Sequence, residues 1–234
     1  EIELAARMTE SPVIAITGTN GKTTTTELTA HLLRESGIDA IACGNQGTPI
    51  TTLVETTPAT TWLVVECSSF QLEGVGEAFH PRAAAVLNVT PDHLDRHGDM
   101  ASYAAAKRRI FENLTPDDLA IAPAGFGAPG DLRLRTVDVE RGPDSIAWSE
   151  GGLHHAARGL VARWDEVALR GAHNRQNAMV AVALAIHAGA EDVARGLATF
   201  PGVEHRLEVV AEIDGVTYVN DSKATNPDAA MAAL

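Results

Sequence analysis

The sequence predicts an α/β protein: a largely parallel sheet flanked by helices, with a small antiparallel sheet, followed by the beginning of a second α/β unit of Rossmann-like type. Three observations carry that reading. From residue 12 to about 122, short apolar runs alternate with helix-like ones, the pattern of βαβ crossovers. The glycine-punctuated segment Gly18-Thr19-Asn20-Gly21-Lys22-Thr23-Thr24 stands directly behind the apolar run Val13-Ile14-Ala15-Ile16. Phe200-Pro201-Gly202 then breaks the chain ahead of two runs, Leu207 to Ile213 and Val216 to Asn220. These flank Asp214-Gly215, a strong short hairpin signal.

Taken in order, Val13 to Thr17 is predicted as a buried strand and Thr24 to Ser36 as a helix with Leu28, Leu32 and Leu33 on one side. Ile38 to Cys43, Trp62 to Glu66, Ala83 to Val89 and Leu119 to Ala122 follow as short apolar strands. A helix is expected over Ala101 to Leu114, with Tyr103, Ile110, Phe111 and Leu114 as its apolar stripe. Short runs around Leu132, Ile146, Leu160 and Val167, broken by Gly, Pro and Asp, suggest small antiparallel strands. Helices over His173 to Ala188 and Ala190 to Thr199 complete a unit of residues 1–202. Residues 203–234 are expected to open another, with Pro227 starting a last helix. That helix runs to Leu234 without a cap, and no Met begins the chain, so a piece of a longer protein is expected.

At 234 residues the chain can bury one good core and part of a second. No apolar run approaches the length of a membrane span, and Glu1-Ile2-Glu3 is unlike a signal peptide. Cys43 and Cys67 make no disulfide framework, so a reducing cytoplasm is the expected compartment. The formal net charge of −13 argues against a nucleic-acid surface. An anionic ligand must then be held by a local positive site against the overall field.

The glycine segment supplies such a site. Backbone N–H groups at a helix start, together with the positive end of its dipole, cradle phosphate. Lys22 offers a point charge for terminal phosphates, and the Thr23 hydroxyl suits Mg²⁺. The loop is two residues shorter than the common Gly-x4-Gly-Lys-[Ser/Thr] phosphate loop (P-loop).

Trp62-Leu63-Val64-Val65-Glu66 ends an apolar strand in a carboxylate, at the sheet edge where the phosphate loop also sits. Glu66 is a Mg²⁺ ligand or an ordinary acidic strand end; Cys67-Ser68-Ser69-Phe70-Gln71-Leu72, rich in polar side chains, tilts that balance toward a site. In Asn88-Val89-Thr90-Pro91-Asp92-His93-Leu94-Asp95-Arg96-His97, helix capping by Thr90, Pro91 and Asp92 accounts for half the segment. His93, Asp95 and His97 are left over, and a strand-exit His is a metal or substrate candidate. Lys107 falls within the apolar stripe of its helix, either snorkelling or held with a lowered pKa. Asn174 and Asn177 share a helix face as caps or as partners for a base, and Asn220-Asp221-Ser222-Lys223-Ala224-Thr225-Asn226 is a dense polar run at a strand exit.

Together these segments resemble the Mur ligases, ATP-dependent amino-acid ligases of peptidoglycan precursor synthesis. Glu66 to Leu72 is most similar to the branch that joins D-glutamate to UDP-N-acetylmuramoyl-L-alanine. The branch that adds a diamino acid, and a generic P-loop NTPase or kinase, are the alternatives. The resemblance implies that Gly18, Thr19, Asn20, Gly21, Lys22, Thr23, Thr24 and Thr25 surround ATP, with Asn174 and Asn177 toward adenine. Arg206, Asp221 and Lys223 would reach ATP from the next domain. Thr23 and Glu66 would hold one of two Mg²⁺ ions, and His93 would sit at the second. Lys107 matches a lysine carbamylated by CO₂, and with Lys22 and His93 would be catalytic; Asn45, Ser68, Ser69 and Gln71 would lie near the muramoyl-alanine end. Gln46 departs from the usual apolar residue, and Ala122 to Asp131 is irregular. A domain for the uridine diphosphate has no counterpart in these residues. The resemblance therefore implies a monomer, without nucleic-acid or membrane partners, that by itself binds ATP weakly and does not turn over.

Overall fold

A computed structural model describes residues 1–127, 134–135, 146–149, 151–155, 158–169, 171–225 and 230–231. The expectations for Leu132, for part of the irregular 122–131 stretch, for Asn226 and for the helix from Pro227 lie outside them.

A short helix α1 (Ile2–Ala6) precedes strand β1 (Val13–Thr17) and helix α2 (Lys22–Glu35). Strands β2 (Ala40–Gly44) and β3 (Trp62–Glu66), helix α3 (Ser69–Glu73) and strand β4 (Ala83–Val86) follow. After α4 (Leu94–His97) and α5 (Met100–Arg108) come β5 (Leu119–Ile121) and the two-residue β6 (Leu134–Arg135). These six strands form one sheet in the order β2-β3-β1-β4-β5-β6, every pair parallel. Strands β7 (Ile146–Ser149), β8 (Gly152–His155) and β9 (Gly159–Ala162) make a separate antiparallel sheet. Helices α6 (Ala172–His187) and α7 (Ala194–Thr199) precede the hairpin of β10 (Glu208–Ile213) and β11 (Val216–Asn220).

Strand alternation divides the apolar residues between two cores, as a sheet covered on both faces requires. Ile14, Ile16, Val64, Ala83 and Ala85 pack with α2, α6 and α7. Val13, Ala15, Leu63, Val65, Ala84 and Val86 pack with α1, α3 and the Ile110–Phe111 turn. Helix and strand pack closely because the β4 residues are small.

The strands expected between Val13 and Ala122, the helix after the glycine loop and the 214–215 hairpin form, with shifted ends. Helix α2 starts at Lys22, ahead of the expected Thr24, since Gly21 takes a left-handed φ of 86° and serves as its N-cap. The helix expected over 101–114 ends at Arg108 and tightens into a 3₁₀ turn, Arg109–Phe111. Two strand expectations are corrected. Residues 134–135 pair parallel to β5 and belong to the main sheet, not to an antiparallel one. Val167 follows a 3₁₀ turn (Trp164–Glu166) and pairs with no strand among the described residues; its backbone N–H donates to Trp164 instead.

Gly44 shows how tightly loops cross at the sheet's carboxyl edge. Its φ is 110°, and a Cβ there would strike the backbone of Glu66. Gly44→Ala is expected to lower stability by about 2–4 kcal/mol in urea unfolding, strain and steric overlap acting together.

Candidate functional site

Loops leaving β1, β3 and β4 meet at the carboxyl edge of the sheet, the position where parallel α/β folds place their ligands. The loop after β1 lies flat on the residues that leave β4. A Cβ at Gly18 would come within 3.0 Å of the Leu87 Cβ and 3.4 Å of the Asn88 nitrogen. Thr19 is fastened to Thr90: its hydroxyl donates to the Thr90 carbonyl (3.2 Å) and accepts from the Thr90 N–H (3.0 Å).

Two ammonium groups converge on one carbonyl oxygen. Lys22 Nζ donates to Gly18 O at 3.0 Å and to Thr19 O at 2.8 Å. Lys107 Nζ, on a residue only 1% exposed, reaches the same Gly18 O at 2.8 Å. The Lys107 ammonium also lies 4.6 Å from the centre of the Tyr103 ring, whose hydroxyl is 3.3 Å from Thr19 Oγ1. The Lys107 pKa is lowered to about 7, chiefly by burial and then by the Lys22 charge, against the opposing pull of Asp92, Cys67 and Glu66. Lys22 is lowered too, first by burial and also by Arg206, against the pull of Glu66 and Asp92.

Glu66 faces this pair of cations from the end of β3. Its carboxylate is 2% exposed and accepts from two neutral groups, the Thr23 hydroxyl (2.8 Å) and Asn45 Nδ2 (3.0 Å). A buried carboxylate beside a hydroxyl is a hard-oxygen donor set that fits Mg²⁺. Among the described residues no group of three or more His, Cys, Asp or Glu side chains is arranged to hold a metal.

His93 stands at a left-handed position, φ 51°, just before α4, with its backbone N–H donating to Asp92 Oδ1 (3.0 Å). Its ring packs against Phe70 at 5.1 Å and Tyr103 at 6.3 Å between centroids, which brings it to the aromatic wall over Lys107. The helix therefore begins at Leu94, and the expected cap by Thr90 and Pro91 does not form. The backbone of Thr90 is instead committed to Thr19.

Other candidates make hydrogen bonds within the scaffold. Ser68 and Gln71 satisfy each other in a capping box on α3. Ser69 is buried, with its hydroxyl 3.0 Å from His97 Nε2, and His97 packs on Phe70 and Tyr103. The Thr25 hydroxyl donates to Gly21 O at 2.9 Å, inside the helix, and Thr24 is buried on α2. Asn177 donates to Asn174 Oδ1 at 3.1 Å, and both are buried. Asn177 Oδ1 also presses on Gly21, where a Cβ would overlap it. These two asparagines thus support the glycine loop.

Arg206, Asp221 and Lys223 form a second cluster: Arg206 Nη2 donates to Lys223 O at 3.5 Å, and Leu207 N–H donates to Asp221 Oδ1 at 3.2 Å. His173 is lowered chiefly by burial and then by Arg206, against Asp221, so this cluster lies within electrostatic reach of the start of α6. Burial raises both cysteine thiols, Cys43 to about 12, which leaves them unreactive.

Sequence reasoning did not single out Asn88 or Tyr103. Asn88 was legible only as the first polar residue past an apolar strand. Tyr103 was counted into the core stripe to which it also belongs.

The family description "Mur ligase middle domain" matches residues 16–185. The protein named UDP-N-acetylmuramoylalanine–D-glutamate ligase in Pelotomaculum thermopropionicum is 46% identical over 246 residues, covering 100% of this chain and 54% of that protein. Its namesakes in Anaeromyxobacter dehalogenans and Koribacter versatilis are 46% and 42% identical, each with 54% of its length covered. The chain therefore spans about half the length of the curated relatives it matches. Among solved structures, MurF from Acinetobacter baumannii superposes with a TM-score of 0.79 at 22% identity, over 97% of this chain and 54% of that one. MurF from Thermotoga maritima in complex with ADP gives 0.72 at 19% identity, over 99% of this chain and 58% of that one. Those two likenesses establish the fold. With the family description covering most of its length, the chain belongs to the Mur ligase family.

Proposed function

We propose that the intact protein is an ATP-dependent ligase that joins D-glutamate to UDP-N-acetylmuramoyl-L-alanine, and that residues 1–202 are its central ATP-binding domain, with residues 203–234 opening the next. The convergence of Lys22 and Lys107 on Gly18 O opposite Glu66 carries this reading, since two cations held together beside a phosphate loop suit a polyanion. The names of the similar proteins favour D-glutamate over a diamino acid.

In this mechanism the L-alanine carboxylate attacks the γ-phosphorus of ATP, ADP leaves, and an acyl phosphate forms. The amine of D-glutamate attacks the acyl carbon, gives up a proton, and the tetrahedral intermediate expels inorganic phosphate. Lys22 exchanges its loop carbonyls for phosphate oxygens and neutralises the transferring group; positioning and charge compensation supply most of the acceleration. Thr23 and Glu66 would hold one Mg²⁺ and His93 and Lys107 the second, and the ions when bound offset phosphate charge. The neutral amine that CO₂ requires is accessible to Lys107 near neutral pH, which supports its carbamylation. Asn45, beside Glu66, and the loop of Ser68, Ser69 and Gln71 border the acceptor carboxylate.

Intact protein supplied with ATP, Mg²⁺ and UDP-N-acetylmuramoyl-L-alanine should give a product one glutamyl residue heavier with D-glutamate, and no such product with L-glutamate or a diamino acid. Phosphate release without both acceptor and amino acid would instead identify an NTPase. Lys22→Ala is expected to lower turnover by about a thousandfold or more, and Lys107→Ala to lose ligation with partial return in short carboxylic acids. Unchanged turnover in either variant would remove that lysine from the mechanism.

Lys107 also sets a pH dependence of stability. Its folded pKa of about 7 lies below the ordinary lysine value of 10.5, so between those pH values the unfolded chain binds more protons. Stability contributed by this residue therefore rises with pH across that window. Lys107→Met should flatten the rise in urea unfolding measured at pH steps through it; an unaltered slope would show that the amine is not perturbed.

A further inference from the structure

Pairing between β1 and β4 does not stop where the strands end. Leu87 N–H donates to Thr17 O, and Thr19 N–H donates to Asn88 O, each at 2.9 Å. One residue on, a side chain replaces the missing strand neighbour. Asn20 N–H donates to Asn88 Oδ1 at 2.8 Å, and Asn88 Nδ2 donates to Asn20 O at 3.0 Å. The Asn88 carboxamide thus occupies both backbone polar groups of Asn20, in the middle of the phosphate loop.

We propose that Asn88 is a positioning residue that fixes the Asn20–Gly21 peptide plane and so aims the Gly21 N–H at bound phosphate. The proposal rests on the nucleotide-binding reading above. In a planar trans peptide the N–H of Gly21 points opposite the C=O of Asn20. Holding that carbonyl toward Asn88 therefore turns the N–H away from β4, at the N-cap of α2 where anions are favoured. Glycine at 21, with φ 86°, is what lets the loop turn. The same freedom allows its preceding peptide plane to flip. Asn177 Oδ1, pressed against Gly21, limits the glycine on one side, and the two Asn88 bonds hold the plane itself.

The chemistry needs a carboxamide. Only a group with one acceptor and one donor at that spacing matches a backbone C=O and N–H together. Aspartate would keep the contact with Asn20 N–H but set a second acceptor against Asn20 O. It fits the space and reverses the polarity of one bond. A residue that merely filled volume would tolerate Asp better than Ala, whereas a residue that orients the peptide would tolerate it worse.

The test is Asn88→Ala and Asn88→Asp in the intact protein, read by amide hydrogen exchange without nucleotide and by steady-state kinetics with it. Asn88→Ala should accelerate exchange at Asn20 N–H and raise the KM for ATP by about tenfold. Asn88→Asp should raise that KM further, with the KM for the amino acid unmoved and the melting temperature closer to wild type than that of Asn88→Ala. Unchanged Asn20 exchange in the alanine variant, or an aspartate variant with wild-type kinetics for ATP, would overturn the proposal. Wild-type protein without affinity for ATP would refute the nucleotide reading, while the exchange measurement judges the Asn88 clamp independently.

Discussion

A single carbonyl oxygen, that of Gly18, accepts from a buried lysine and a half-buried one, and the rest of the site is arranged around the cost of that. Contacts of 3.0 and 2.8 Å to one oxygen keep the two ammonium groups within about 6 Å of each other, where unit charges at an effective dielectric near 20 repel by roughly 3 kcal/mol. Burial adds a desolvation penalty to each, which is why both lysines are shifted downward and Lys107 to about 7. An arrangement so unfavourable in isolation persists because the surrounding packing over-determines it, and a polyanion or a negatively charged modification of one amine relieves it. The repulsion is thus a statement of ligand charge, made without any ligand present.

The sheet explains how the cations are brought there. Strand β1 is central, between β3 and β4, so its exit loop is flanked by the exits of both neighbours. The β3 neighbour brings Glu66 to the first turn of α2, and the β4 neighbour brings Asn88, Thr90, Asp92 and His93. Lys107 comes from farther away in sequence. It reaches Gly18 O from α5, beside Tyr103, whose ring face lies 4.6 Å from the ammonium. Neither core alone would place all of these groups, because strand alternation sends α2 to one face of the sheet and α3 to the other.

Much of this was legible in the sequence. Apolar runs and glycine punctuation located five parallel strands and the hairpin, since those signals are local. Helical periodicity put Lys107 among apolar neighbours for the same reason. What sequence could not give is the partner of a polar side chain across the fold. Thr90 followed by Pro91 looked like a helix cap, and locally it is a good one; the bond to Thr19, 71 residues away, takes precedence. Ser68 and Gln71 were legible as polar residues of a site loop, but not as the two halves of the capping box that starts α3. Residues 134–135 carry too short a run to reveal which sheet receives them.

The choice of side chains around the loop follows from its charge. Asn45 supports Glu66, Asn88 grips Asn20, and Asn177 bears on Gly21 while bonded to Asn174. At position 88 an acid could have accepted from Asn20 N–H, and charged acceptors make stronger bonds, but Asn45 and Asn177 donate through Nδ2, which an ionised acid cannot do. Acids there would have filled the anion site with fixed negative charge in a chain whose net charge is already −13. Carboxamides hydrogen-bond at zero charge, so the loop is fastened without weakening the local positive field. The carboxylate that is retained, Glu66, lies beside the Thr23 hydroxyl, where a divalent cation can offset it. Rigidity and charge are thereby assigned to different residues, and that separation lets a strongly acidic protein keep a cationic centre.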